Sequence, residues 1–124
     1  MSRSALQDYA EGVAAKCCGV DKTIVQTGVS VGAIEWVILI EMIMQIVMQF
    51  MEQCNQPKDT FLASVKRPTR LQKARFYNVV RSGFDDQRAW GWRRQSRDFA
   101  DTMLNDLPPD ETIVSVLSEV RGGF

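Results

Sequence analysis

An all-α fold, a small bundle of five or six helices around one long and very hydrophobic helix, is predicted by three observations. Residues 30–54, SVGAIEWVILIEMIMQIVMQFMEQC, form an apolar run without Pro, Lys or Arg. Four segments carry apolar residues at helical spacing, and none alternates apolar with polar side chains for long enough to suggest a sheet. Gly- and Pro-containing breaks between these segments are short, as loops joining packed helices should be.

The long helix is expected to start at Ser30 as N-cap and to stop before Pro57. On a helical wheel Glu35, Glu41, Gln45, Gln49, Glu52 and Gln53 fall within about one third of the circumference, leaving about two thirds apolar. A helix so widely apolar is covered on most sides, as the centre of a bundle, the seam of an oligomer or a membrane span. For a membrane span, residues 31–51, the ten Ile, Leu, Val and Phe side chains between Val31 and Phe50 contribute roughly 3–6 kcal/mol of insertion, which Glu41 and the glutamines largely cancel. Burial in protein is therefore the stronger expectation. Trp36, Ile40, Ile43, Met44, Val47 and Met51 are the residues expected to carry self-association. Met42, Met44, Met48 and Met51 add a deformable surface suited to partner helices or to an irregular core.

In chain order, Ser4-Ala5-Leu6-Gln7 has the form of a capping box opening a helix to Cys18, with Gly19 as its stop. Thr23–Thr27 is β-branched and flanked by glycine, which favours an extended connector. Asp59 can cap a short helix through Val65, ended by Pro68. Thr69-Arg70-Leu71-Gln72 is a second capping box, and its helix is expected to end near Ser82-Gly83. On that helix Arg70, Lys73, Tyr77 and Arg81 share one face, with Leu71, Phe76, Val79 and Val80 opposite. Asp85 or Asp86 should begin the next helix, which buries Phe99, Ala100 and Met103 and ends before Pro108. Ile113, Val116, Leu117 and Val120 mark a last helix from about Asp110 to Arg121.

At 124 residues the chain is expected to form one domain, 1–124. Its net charge of zero conceals segregation. Residues 1–57 hold three basic and six acidic side chains, residues 58–97 hold 11 and three, and residues 98–124 hold one and six, giving −3, +8 and −5. Histidine is absent, which removes His-dependent acid–base chemistry, Ser-His and Cys-His pairs and the common catalytic zinc sites. Paired carboxylates on the long helix cannot form an E-x-x-H di-iron site for the same reason, so neither a catalytic residue, a metal nor a cofactor is expected. Cys17, Cys18 and Cys54 form no C-x-x-C, and buried filler is their favoured role in a reducing compartment. No basic stretch followed by an apolar one opens the chain, so a cytoplasmic location is expected.

The basic block mixes arginines with aromatics: Arg67, Arg70, Lys73, Arg75, Tyr77, Arg81, Trp90, Arg93, Arg94 and Arg97 are the candidate polyanion-binding residues. Guanidinium groups bind phosphate bidentately and stack on rings, and aromatic faces accept bases. The competing reading has these arginines neutralised by the acidic segments on either side. No helix-turn-helix, zinc-finger or RNA-recognition signature is present. The expected function is a non-enzymatic helical binding protein that forms homo-oligomers through residues 30–54 and offers the basic surface to a polyanion, nucleic acid foremost. Membrane association, or a structural subunit whose arginines meet an acidic protein partner, are the alternatives.

Overall fold

The computed structural model describes residues 2–28, 35–86 and 94–122, with side chains from Ala5 onward. These residues form α1 (Ser2–Cys18), α2 (Lys22–Gln26), α3 (Trp36–Gln53), α4 (Lys58–Lys66), α5 (Arg70–Asp86), α6 (Ser96–Asn105) and α7 (Asp110–Arg121), with no strand among them. Helix α3 packs on α1 and α5, and α6 closes a ring by packing on both of those helices. Helix α7 lies across α1 and α3, and α4 covers α7.

Local chemistry accounts for most of the boundaries. Gly19, at φ 67, ends α1, and the Val20 N–H turns back to the Ala15 carbonyl at 3.0 Å. The capping box at Thr69 is reciprocal: its N–H donates to Gln72 Oε1 at 2.8 Å and its hydroxyl accepts from the Gln72 N–H at 3.2 Å. The box expected at Ser4 is not an N-terminus, because α1 already begins at Ser2. At α4 the cap is Pro57 and no side chain bonds to the free N–H groups, so Asp59 sits in the first turn and favours it by charge alone.

Three expectations change. The stretch 23–27 is a one-turn helix, not a connector: Asp21 Oδ1 accepts from the Thr23 N–H at 2.9 Å and its hydroxyl at 2.8 Å, and this cap outweighs β propensity. The same two bonds hold the Asp21 carboxyl below the ordinary carboxylate range. Helix α3 begins at Trp36, after Glu35 in extended conformation, and its proposed Ser30 cap lies outside the described residues.

The third change concerns α5, which runs through Gly83 to Asp86 instead of stopping there. A Cβ on Gly83 would lie 2.4 Å from Ile46 Cγ1, so the glycine is where α5 and α3 approach most tightly. It lacks a side chain because a neighbouring helix needs the space. Consequently α6 starts at Ser96, after a single tight turn at 94–95, and not at Asp85 or Asp86.

One hydrophobic cluster joins all seven helices. From α3 it takes Trp36, Leu39, Ile40, Met42, Ile43, Met44, Ile46, Val47 and Met51, each of which contributes about 1.5–3 kcal/mol when fully buried. Phe50 meets the edge of Phe76 at 5.0 Å and Phe61 at 5.9 Å, and Phe84 packs on Phe99 at 5.3 Å. The partly buried Tyr9 donates its hydroxyl to the Met103 carbonyl at 2.6 Å, tying α1 to α6, and desolvation raises its pKa well above the usual tyrosine range. Cys17 and Cys18 are half-buried free thiols held above their ordinary pKa by desolvation, in keeping with a packing role.

All six residues expected to carry self-association, Trp36, Ile40, Ile43, Met44, Val47 and Met51, are at most 8 % exposed. That expectation is corrected by their burial: the chain's own α1, α5 and α7 occupy the face that a second copy would have needed. The outward face of α3 carries Glu41, Gln45, Gln49 and Glu52, with Val37 and Ile38 exposed near its start. The helix is long and apolar enough to cross a membrane, and half of its length is buried inside the protein.

Candidate functional site

Helix α5 turns Phe76, Val80, Gly83 and Phe84 into the core, which obliges the residues between them to face solvent. Arg70, Lys73, Arg75, Asn78 and Arg81 are exposed for that reason, and Arg67 is exposed at the end of α4. Leu71, expected on the apolar face, is 61 % exposed. Arg94, in the tight turn before α6, and Arg97, in its first turn, line one hollow with Arg81, while Trp90 and Arg93 lie outside the described residues.

The joint between α5 and α6 is built on Tyr77. Its hydroxyl donates to the Asp101 carboxylate, and the Arg97 guanidinium lies over its ring, 5.2 Å from the centroid. The bond to Asp101 raises the tyrosine's pKa. Around this joint Tyr77, Asn78, Arg81, Arg94, Ser96 and Arg97 line a pocket of about 450 Å³.

Asn78 also lines a smaller cleft of about 180 Å³ with Gln49, Gln53, Val79 and Ser82. Asn78, Gln53 and Val79 are shared in turn with a groove of about 470 Å³ that contains Gln72, Arg75 and the Phe50 and Phe76 rings. All three hollows touch Asn78: the arginine-lined one lies on the side of α5 that faces α6, and the other two on the side that faces α3. The guanidinium groups in these linings can hold phosphates, and the carboxamides can donate to or accept from polar groups. Arg67, Arg70 and Lys73 line none of the three.

Among the described residues the ion pairs are Lys16–Asp106 at 2.5 Å, Lys22–Asp8 at 2.5 Å and Lys66–Asp110 at 2.7 Å. None involves Arg67, Arg70, Lys73, Arg75, Arg81, Arg94 or Arg97. The one basic residue of the acidic C-terminal third, Arg121, is used structurally: it donates to the carbonyls of Gln56, at 2.6 Å, and Cys54. No group of three or more Cys, Asp or Glu side chains among the described residues is placed to hold a metal ion.

Reading the sequence missed Gln49, Gln53, Gln72, Asn78 and Ser96 as lining residues. The glutamine stripe of α3 was visible, but only the packing of α5 beside it makes Gln49 and Gln53 one wall of a cleft. Compared with models of known protein families, with curated proteins and with solved structures, the chain matches none.

Proposed function

We propose that this protein binds nucleic acid without enzymatic action, along the outer flank of α5 and the first turn of α6. The observation that carries the reading is that the exposed Arg67, Arg70, Lys73, Arg75, Arg81, Arg94 and Arg97 form no ion pair among the described residues, while Lys16, Lys22 and Lys66 do. A flank of unmatched guanidinium groups attracts a polyanion and releases its counterions on binding. The carboxamides of Gln49, Gln53 and Asn78 suit polar contact with sugar and base edges.

The test is a binding isotherm on single- and double-stranded nucleic acid at two salt concentrations. Binding that weakens with added salt is expected; no binding, or affinity indifferent to salt, overturns the proposal.

Self-association remains part of this reading, moved to a different face. Val37 and Ile38, 68 % and 60 % exposed, are uncovered aliphatic side chains at the start of α3. Light scattering is expected to give more than one chain mass, reduced by Val37→Lys with Ile38→Lys; a monomer in plain buffer would remove self-association from the reading.

A further inference from the structure

We propose that the groove between α3, α4 and α5 is a site for a linear monocarboxylate, whose chain end enters an apolar hollow behind the groove. This site does not rest on the nucleic-acid reading and takes a ligand of a different class.

The hollow, of about 50 Å³, lies at the centre of the bundle, where every helix except α2 contributes to its lining. No charged side chain lines it among the described residues, and its two hydroxyl-bearing members are Thr112 and Tyr9, the latter bonded to the Met103 carbonyl. A cavity so lined stays dry, because a water there would find too few polar partners. Size then decides what can fill it. Benzene is held by a cavity of about 150 Å³, whereas an alkyl carbon takes roughly the room of one water, about 30 Å³, so the hollow admits the end of a chain and no ring.

The groove in front of it measures about 470 Å³. Phe50, Val65, Phe76 and Leu104 line both spaces, so these four side chains form the partition between them. Val65 and Phe76 are buried, but Phe50 and Leu104 are only partly so, and a rotamer change of these two opens one space to the other.

The mouth of the groove carries charge of one sign. Arg75 is the one charged residue of its lining among those described, so an anion meets no competing carboxylate there. Gln72, one turn before it on α5, uses its carboxamide oxygen to accept from the Thr69 N–H, which leaves the amide nitrogen as the group it offers a ligand. The opposite wall, residues 54–56, is fixed by Arg121, which donates to the carbonyls of Cys54 and Gln56. The groove is thus largely preformed, with an apolar floor and a few placed donors, as small-ligand sites are. A guanidinium and an amide donor match the two oxygens and single charge of a carboxylate, whereas a doubly charged phosphate would meet only one cation. At about 30 Å³ for each carbon, a chain of about ten carbons fits the combined space.

The experiment titrates the full chain with decanoate, 1-decanol and butyrate in turn, followed by methyl NMR. Decanoate is expected to saturate at one per chain, shifting the methyls of Leu104 in the partition and of Met51 and Met103 in the hollow. Butyrate should leave Met51 and Met103 unmoved. Decanol, which lacks the charge, should bind about tenfold more weakly, and Arg75→Gln should abolish decanoate's advantage without altering decanol binding. Val116→Ile, which adds a carbon to the lining of the hollow, should weaken both long-chain ligands alike. Equal affinity of the unsubstituted chain for decanoate and decanol overturns the proposal, as does undiminished binding to a folded Val116→Ile variant. Shifts that never saturate, or that gather at the exposed Val37 and Ile38, overturn it too, since they mark detergent-like adsorption.

Discussion

The acidic residues of the chain meet lysines in one region and leave arginines alone in another. Asp106 and Asp110, on either side of the Pro108-Pro109 turn, reach Lys16 of α1 and Lys66 of α4, and Asp8 reaches Lys22. On the flank of α5 and α6 no arginine has such a partner among the described residues, although the chain as a whole is neutral. Zero net charge is therefore a statement about totals, not about any surface. The α6–α7 turn folds against α1 and α4, so its carboxylates face lysines from distant parts of the chain and not the arginines that precede α6 in sequence.

The sharpest way to break this contrast is to reverse charge on the arginine flank. Arg81→Glu with Arg94→Glu should lower nucleic-acid affinity by about a hundredfold at low salt, roughly 2.7 kcal/mol, and flatten the salt dependence by about one unit of slope for each phosphate no longer neutralised. The melting temperature should stay nearly constant, since neither side chain is buried; equal losses of binding and stability would show these arginines to be structural. Arg121 is the arginine for which the opposite holds. Arg121→Ala removes charged hydrogen bonds to two carbonyls beyond the end of α3 and should cost about 1.5–3 kcal/mol in a denaturant titration.

Gly83→Ala tests the junction between α5 and α3. Forcing a methyl group against Ile46 should cost about 1–3 kcal/mol, and pairing it with Ile46→Val should recover part of the loss, as a double-mutant cycle would measure. On the lysine side, Lys16→Met or Lys66→Met should each change stability by at most about 1 kcal/mol, because both pairs are well exposed to solvent. Losses above that range would mean that the lysine pairs hold the fold together.

The smallest effect concerns Tyr77. Because its pKa is raised, the bond to Asp101 stabilises the fold fully below the ordinary tyrosine pKa of about 10 and is lost as pH climbs through the raised value. Asp101→Asn should return Tyr77 towards ordinary titration while Tyr9, raised by burial, stays high. Ultraviolet titration of tyrosinate separates the two, and an unchanged Tyr77 would show that the bond to Asp101 is not what governs it.

Much of the helical framework was legible because its signals are local. The Thr69 capping box, the Gly19 stop and the stripe of α7 each depend on side chains within a turn or two of one another. Gly83 was misread because glycine serves both as a helix stop and as a site of close approach, and Ile46, in another helix, decides between them. Asp21 was overlooked as a cap because β-branched residues dominated the segment behind it. In the candidate site the arginines could be named in advance, but Ser96 and Asn78 could not, since nothing in their immediate neighbours marks a serine as buried or an asparagine as shared by three hollows.

Sequence alone determined that the chain is helical, that the apolar run within 30–54 must be covered on most sides, and that charge is segregated along it, because periodicity and composition act over single helices. Tertiary structure decided which face of α3 is covered, which acids meet which bases, and which arginines of α5 and of the start of α6 line one hollow. Those outcomes depend on the order in which helices pack around a shared core, and packing order is set by shape across distant segments that no local pattern encodes.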